Sequence, residues 1–361
     1  MEHLRSLRRL INVQSGNKTQ LFKLGQVALN NEEYITARRI FNYIIDTGPN
    51  GSFYAEALLL GLRAEKQRLL AADATQVEQW HSLQKEYYKV LKQLKGLPEV
   101  SELTIDLADL TAFQLNEADT AAGMLKNLIT TGYISKSDLA RAKIQLGDIL
   151  LYQGNRWDAI IYYGQAEKAF EQSPIGQEAK FKRAKAAYYV GDFEWAQGIF
   201  NALKASTSKM IANDALYYSL LINDNIALDT STEAMELFAR ADLMNYQQKP
   251  DSALYILGLM EVAFIEHPIQ DEVLFLKSEI LIDKKRYEEA VQSLTTLLKD
   301  HQDDILADDA QYMLARLYEE KLGKVLEAQE LYQNLFTEHP DSFYASEARK
   351  RYRALRGDVL N

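Results

Sequence analysis

Apolar positions recur at helical spacing along nearly the whole chain. Trp80, Leu83, Tyr87, Val90, Leu91 and Leu94 fall three and four apart, which sets them on one stripe of a helix. The prolines Pro49, Pro98, Pro174, Pro250, Pro268 and Pro340 lie between such stretches and never inside one. Proline removes a helical hydrogen bond and clashes with the preceding turn, so these positions mark helix boundaries. No segment alternates apolar and polar residues convincingly enough to predict a strand. The chain is expected to be all-α.

The apolar pattern also repeats. With Lys18 as the first position of a unit of about 34 residues, Leu21, Leu24 and Gly25 occupy positions 4, 7 and 8, and Ala37, Phe41 and Pro49 occupy 20, 24 and 32. Small residues at 8 and 20 let the two helices of a hairpin approach closely; the large one at 24 fills the groove against the next hairpin. Downstream, positions 8, 20 and 24 hold Gly147, Ala159 and Tyr163, then Ala184, Ala196 and Phe200, then Ser278, Ala290 and Leu294. A last unit supplies Ala328, Tyr332 and Pro340 with a longer inter-helix turn, and weaker copies carry Ala121 and Leu125, and Ala241, Ala253 and Leu257. Such repetition predicts an α-solenoid of antiparallel helix hairpins, wound as a right-handed superhelix.

Two stretches leave the period. Residues 51–97 predict long helices over roughly 52–72 and 75–96, with Gly61 at a small slot, and 208–228 predict a helix without an obvious partner. Four regions follow: 1–50, an N-terminal amphipathic helix and first repeat; 51–134, an irregular long-helix section with a degenerate repeat; 135–228, a sub-array with an extra helix; and 229–361, a sub-array ending in a capping helix.

The chain is 361 residues long and 47% hydrophobic, enough for a large core. Its net charge of −10 disfavours a surface that tracks nucleic-acid phosphates. The basic clusters Arg5, Arg8, Arg9 and Arg349, Lys350, Arg351, Arg353, Arg356 read as solvated helix faces. Cysteine is absent, which excludes disulfides and thiolate chemistry. No apolar run approaches the roughly 20 residues of a membrane span, so membrane insertion is not expected.

Residues 18–50 and about 135–356 resemble tetratricopeptide repeat proteins. The segments ANDALYYSLLINDN (212–225), Lys249 to Pro268, ILADDAQYMLARLYE (305–319) and HPDSFYASEARKRYRALRGD (339–358) are similar to large repeat proteins of the Bacteroidota cell envelope. Such relatives are typically longer and exported, whereas Met1-Glu2-His3-Leu4-Arg5 opens no signal peptide. The expectation is a C-terminal portion or shortened start, periplasmic or envelope-associated if an upstream signal is missing.

A search for chemistry yields little. His3, His81, His267, His301 and His339 include no pair four apart on a helix, and three of them sit at helix ends. The acidic run Asp300–Asp309 lacks the glycine and distal glutamate of a calcium loop, and Asp303 or Asp304 reads as a helix cap. No phosphate-cradling glycine loop or nucleophile elbow occurs, and the sequons at Asn17 and Asn50 are low-specificity matches. No cofactor is expected.

The resemblance implies a concave face built from positions 2, 5, 9, 12 and 13 of each first helix. Those positions include Arg141, Asp148, Tyr152, Gln153, Lys185, Tyr188 and Tyr189, a candidate groove for an extended peptide or an amphipathic helix. Adjacent tyrosines point about 100° apart, so one ring of each pair can reach a surface. Repeats that clamp a C-terminal carboxylate carry Lys and Asn at positions 5 and 9; Phe22 and Gln26 stand there in the first repeat. The expected function is a non-enzymatic protein–protein scaffold in a bacterial envelope assembly. The alternatives are a homo-oligomerisation module using the helices at 52–96, and an enzyme with carboxylates Glu86, Asp106, Asp109 and Glu117.

Overall fold

The computed structural model describes residues 18–72, 76–130, 134–206, 208–226, 231–302 and 304–358. The helix expected at 2–13, with His3, Arg5, Arg8 and Arg9, and also Asn17 and Asp303, lie outside the described residues. Among those described there are eighteen α-helices and no strand. The chain divides into two compact units, Met1–Arg183 and Ala184–Asn361, with the division inside one helix.

The first unit holds α1 (Lys18–Asn30), α2 (Tyr34–Ile45), α3 (Tyr54–Ala71), α4 (Val77–Gln93), α5 (Glu99–Phe113), α6 (Ala118–Thr130), α7 (Lys136–Tyr152), α8 (Arg156–Ala169) and the start of α9 (Pro174–Val190). The second holds the rest of α9, then α10 (Phe193–Leu203), α11 (Lys209–Ile226), α12 (Glu233–Tyr246), α13 (Pro250–Ala263), α14 (Gln270–Asp283), α15 (Tyr287–Asp300), α16 (Ala307–Leu317), α17 (Val325–Glu338) and α18 (Ala345–Arg356).

Consecutive helices pair as hairpins, and the small-and-large slots explain how. Ala37, Phe41, Ala159, Tyr163, Ala196, Phe200, Ala290, Leu294, Ala328 and Tyr332 are all fully buried, at 0% exposure. A Cβ on Gly147 would stand 2.5 Å from Cε1 of Tyr163, and one on Gly25 would stand 2.7 Å from Cε1 of Phe41. The glycine exists to admit the ring. Gly61 behaves differently: its open side meets Arg38 and Phe41 of α2, so α3 packs closely on the preceding hairpin rather than on α4.

The turn inside seven hairpins carries one left-handed residue: Glu32, Asn116, Gly154, Gly191, Gln248, Lys285 or Gly323. In the last hairpin a π-helical turn, Tyr318–Leu322, extends α16 and absorbs the longer connection.

The long helices α3 and α4 bury their apolar stripes together with α5, in a cluster that includes Leu62, Leu69, Trp80, Leu83, Tyr87 and Leu107. The helix expected to lack a partner, α11, packs on α10: Phe200 and Tyr218 stack at 5.1 Å, and Ser219 Oγ donates to Asn201 Oδ1 at 2.8 Å. At the end of the second unit, α18 buries Ala345 and Ala348 and shares a cluster with Tyr332 and Leu335. Its Arg351 donates to Glu319 and Glu320, each at 2.8 Å.

Candidate functional site

In the first unit, the face made by the first helices of successive hairpins (α3, α5, α7 and α9) is laced with charge pairs. Arg63 reaches Asp106 at 2.6 Å and Glu102 at 2.8 Å, and Lys66 pairs with Asp109. Gln145 Nε2 donates to the other Asp109 oxygen at 3.0 Å. Burial raises the Asp106 carboxyl above its ordinary pKa, while Arg63 pulls it back down. A cavity of about 370 Å³ lies at this face, lined by Asn30, Glu32, Tyr34, Arg63, Lys66 and Asp106, so two acids stand against two bases that are already paired.

Four of the sequence-predicted groove residues sit on the same face and are tied into it. Arg141 is exposed, with Asp138 at 3.7 Å and Glu102 at 3.8 Å. Asp148 accepts from Tyr163 Oη at 2.8 Å and from Lys182 Nζ at 2.9 Å. Burial would lower the Lys182 ammonium; Asp148 outweighs it and holds the pKa above the ordinary value. Tyr152 Oη donates to Asn116 Oδ1 at 3.1 Å, with its ring edge-on to Phe113, and Gln153 Nε2 donates to Asp119 Oδ1 at 2.7 Å. These side chains are struts between neighbouring hairpins.

The other three lie in the second unit, and two of them require correction. Tyr188 (0% exposed) and Tyr189 (3% exposed) are interior and offer no groove surface. The 100° separation of neighbours does not expose one ring here, because this turn of α9 is enclosed except on the side of Lys185, with Ala184, Ala186 and Ala187 also at 0%. Tyr188 packs against Phe193 and Tyr218, and Tyr189 against Tyr246. Burial drives both hydroxyls well above their ordinary pKa. Lys185 is half-buried, its ammonium 5.1 Å from the Tyr218 ring and 5.6 Å from the Tyr189 ring.

Sequence reasoning passed over the groove that the second unit does contain. It has a volume of about 640 Å³ and runs between α12, α14, α16 and the residues just before α18. Glu279, Asp283 and Asp309 bring carboxylates; Phe275, Tyr312 and Tyr344 bring rings. Tyr312 and Tyr344 stack with centroids 4.3 Å apart. Glu279 is exposed at the groove, yet protein crowds around it. That loss of hydration, and then Asp242 and Asp283, push its carboxyl up to about 7. Desolvation likewise raises Asp309 to about 6, although Tyr344 donates to it. A signal was present in the sequence: equivalent helices about one repeat apart carry acids of like sign, Asp242, Glu279 and Asp309.

Residues 309–342 match the family model described as tetratricopeptide repeat. That segment contains nearly all of α16, the π turn and α17, with Ala328 and Tyr332 in the small and aromatic slots. That segment is a tetratricopeptide repeat within an all-helical array of hairpins. No curated protein matches the sequence. Among solved structures, a tetratricopeptide repeat protein from Parabacteroides merdae is 12% identical with a TM-score of 0.39, over 81% of this chain and 96% of its own. RapI in its apo form is 12% identical with a TM-score of 0.43, over 95% of this chain and 99% of its own. PilW, a type IV pilus biogenesis factor, is 13% identical with a TM-score of 0.41, over 71% of this chain and 97% of its own.

Tetratricopeptide repeats are generally interaction scaffolds, and three of the four acids weighed as a catalytic set are held by cations. Glu86 pairs with Arg38 at 2.7 Å, Asp106 with Arg63, and Asp109 with Lys66. A carboxylate held by a cation is a poor general acid. The helix-end histidines are likewise local. His267 Nδ1 accepts from the Ile269 amide at 3.1 Å, and the His301 ring meets Asp304 at 2.8 Å, so Asp304 engages the histidine. No helix of the described residues is long and apolar enough to cross a membrane.

Proposed function

We propose that the chain is a non-enzymatic scaffold that holds a peptide or helix of another protein against the first-helix face of its repeats, as part of a bacterial envelope assembly. The observation that carries this is the groove of about 640 Å³ in the second unit, where carboxylates and aromatic rings face solvent on rigid helices. A rigid concave surface with convergent polar groups is what segment recognition uses. The envelope setting rests on the resemblance of segments 212–225 and 339–358 to envelope repeat proteins. The self-association alternative has less support, because the apolar stripes of α3 and α4 are consumed within the first unit.

Photo-crosslinking tests the proposal. A benzophenone side chain at Tyr312, inside the groove, is expected to give a discrete protein adduct in extract of the native compartment. The same probe at exposed Trp157 on α8 serves as the control. Equal labelling from both positions, or none from Tyr312, refutes groove binding.

A further inference from the structure

The walls of the second-unit groove differ in chemistry. One is aromatic and apolar, with the Tyr312–Tyr344 stack beside Phe275 and Met313. The other is anionic. Helix α14 sets Glu279 and Asp283 at i and i+4, which is one face. Asp309 adds a carboxylate from α16.

These acids are only partly compensated. The groove lining has four acids, Glu279, Asp283, Asp309 and Glu320, against two bases, Arg316 and Lys321. Arg316 is already spent on Glu320, with paired contacts of 3.0 and 2.9 Å, and Lys321 is exposed. Glu279 and Asp283 form no ion pair among the described residues. Repulsion among fixed carboxylates costs stability unless a cation arrives.

We propose that this groove takes a cationic segment of a partner protein, with a Lys or Arg side chain among Glu279, Asp283 and Asp309 and an adjacent apolar side chain on the Tyr312–Tyr344 pair. This rests on the scaffold reading and specifies the partner's chemistry. Around Glu279, Asp242 from α12, Asp283 from α14 and Asp309 from α16 favour a cation, while Lys185 from α9 opposes one and the groove bases Arg316 and Lys321 partly offset the acids. A cation binds the ionised carboxylates, so affinity rises with pH. With Glu279 at about 7, its ionised fraction rises about tenfold between pH 6 and pH 8.

Fluorescence anisotropy on the full chain decides the matter, using two labelled dodecapeptides of equal apolar content, one rich in Lys and Arg and the other in Glu. The cationic peptide is expected to bind, roughly tenfold tighter at pH 8 than at pH 6, and at least about tenfold weaker to Glu279→Gln/Asp283→Asn. The acidic peptide is expected not to bind. Glu288→Gln/Glu338→Gln removes the same charge from exposed positions off the groove and is expected to change little. Equal losses from both double variants mean only general attraction to an acidic chain and overturn the proposal. So does equal binding of the two peptides, or undiminished binding to a groove variant whose circular dichroism is unchanged. A Tyr312 crosslink that survives Glu279→Gln/Asp283→Asn keeps the scaffold and removes the cationic specificity; loss of every adduct in the unsubstituted chain removes the scaffold itself.

Discussion

In Met1–Arg183, successive first helices meet with opposite charges: Arg63 against Glu102 and Asp106, Lys66 against Asp109, Lys182 against Asp148. In Ala184–Asn361 the faces of α12, α14 and α16 meet with like charges, Asp242, Glu279, Asp283 and Asp309; cations pair elsewhere, as Lys277 does with Glu261, Lys284 with Asp251 and, at the end of the unit, Arg351 with Glu319 and Glu320. The hairpin frame is the same in both. Each has an aromatic in the large slot whose hydroxyl donates to an acid of the first helix: Tyr163 to Asp148 at 2.8 Å, and Tyr332 to Glu319 at 2.7 Å. Packing therefore fixes where side chains of neighbouring hairpins meet. Whether that meeting makes a strut or a receptor depends on the charges placed there.

The shared frame gives the largest expected effect. Tyr163→Ala and Tyr332→Ala each remove a fully buried ring and its hydrogen bond, and each is expected to cost about 3 to 5 kcal/mol in urea unfolding. If one costs under about 1 kcal/mol, the two units do not share the frame.

Charge removal is expected to have opposite signs in the two units. Arg63→Met strands Glu102 and Asp106 at a half-buried site and should lose about 2 kcal/mol, less than for a fully buried pair because water screens part of it. Glu279→Gln removes repulsion and should gain about 1 kcal/mol at pH 7.5, after discounting for its exposure. A loss in both would show that Glu279 has a stabilising role and is not held open for a ligand.

Much of the frame was legible in the sequence, because small and aromatic slots act within one hairpin. Gly147 and Tyr163 are 16 residues apart (163 − 147) and joined by a short turn, so spacing alone places them together. The inter-hairpin contacts were not legible. Arg63 and Asp106 are 43 residues apart, and their meeting depends on how far each hairpin is rotated on the last. Tyr188 and Tyr189 escaped for a related reason, since periodicity gives the angle between two side chains but not how many neighbours enclose the helix. The groove acids read singly as solvated charges. Only superposing the repeats brings Asp242, Glu279 and Asp309 to one face.

Titration separates the units further. Glu279 at about 7 lies above its ordinary 4.5, and Asp309 at about 6 lies above its ordinary 3.8. An acid raised in the folded state binds more protons folded than unfolded between those values, so stability falls as pH rises through that window. Hydrogen-exchange free energies for α14 and α16 should drop by about 1 kcal/mol between pH 5 and pH 7.5, with α7 as the first-unit reference. Glu279→Gln should flatten most of that slope. A slope unchanged in the variant would place the titrating group elsewhere.

The smallest effect concerns the hairpin corners. Gly154 (φ 89°) and Lys285 (φ 60°) occupy the same left-handed position, and each amide donates to the carbonyl three residues back at 2.9 Å. Glycine reaches that region without a Cβ clash, whereas a lysine there is strained by about 1 kcal/mol. Lys285→Gly should gain a few tenths of a kcal/mol, because the added freedom of the unfolded glycine offsets part of the relief; Gly154→Lys should lose about 1 kcal/mol. Thermal melts of both variants give the signs. Matching signs would mean that the two corners are not equivalent, and that the repeat register common to both units does not extend to their turns.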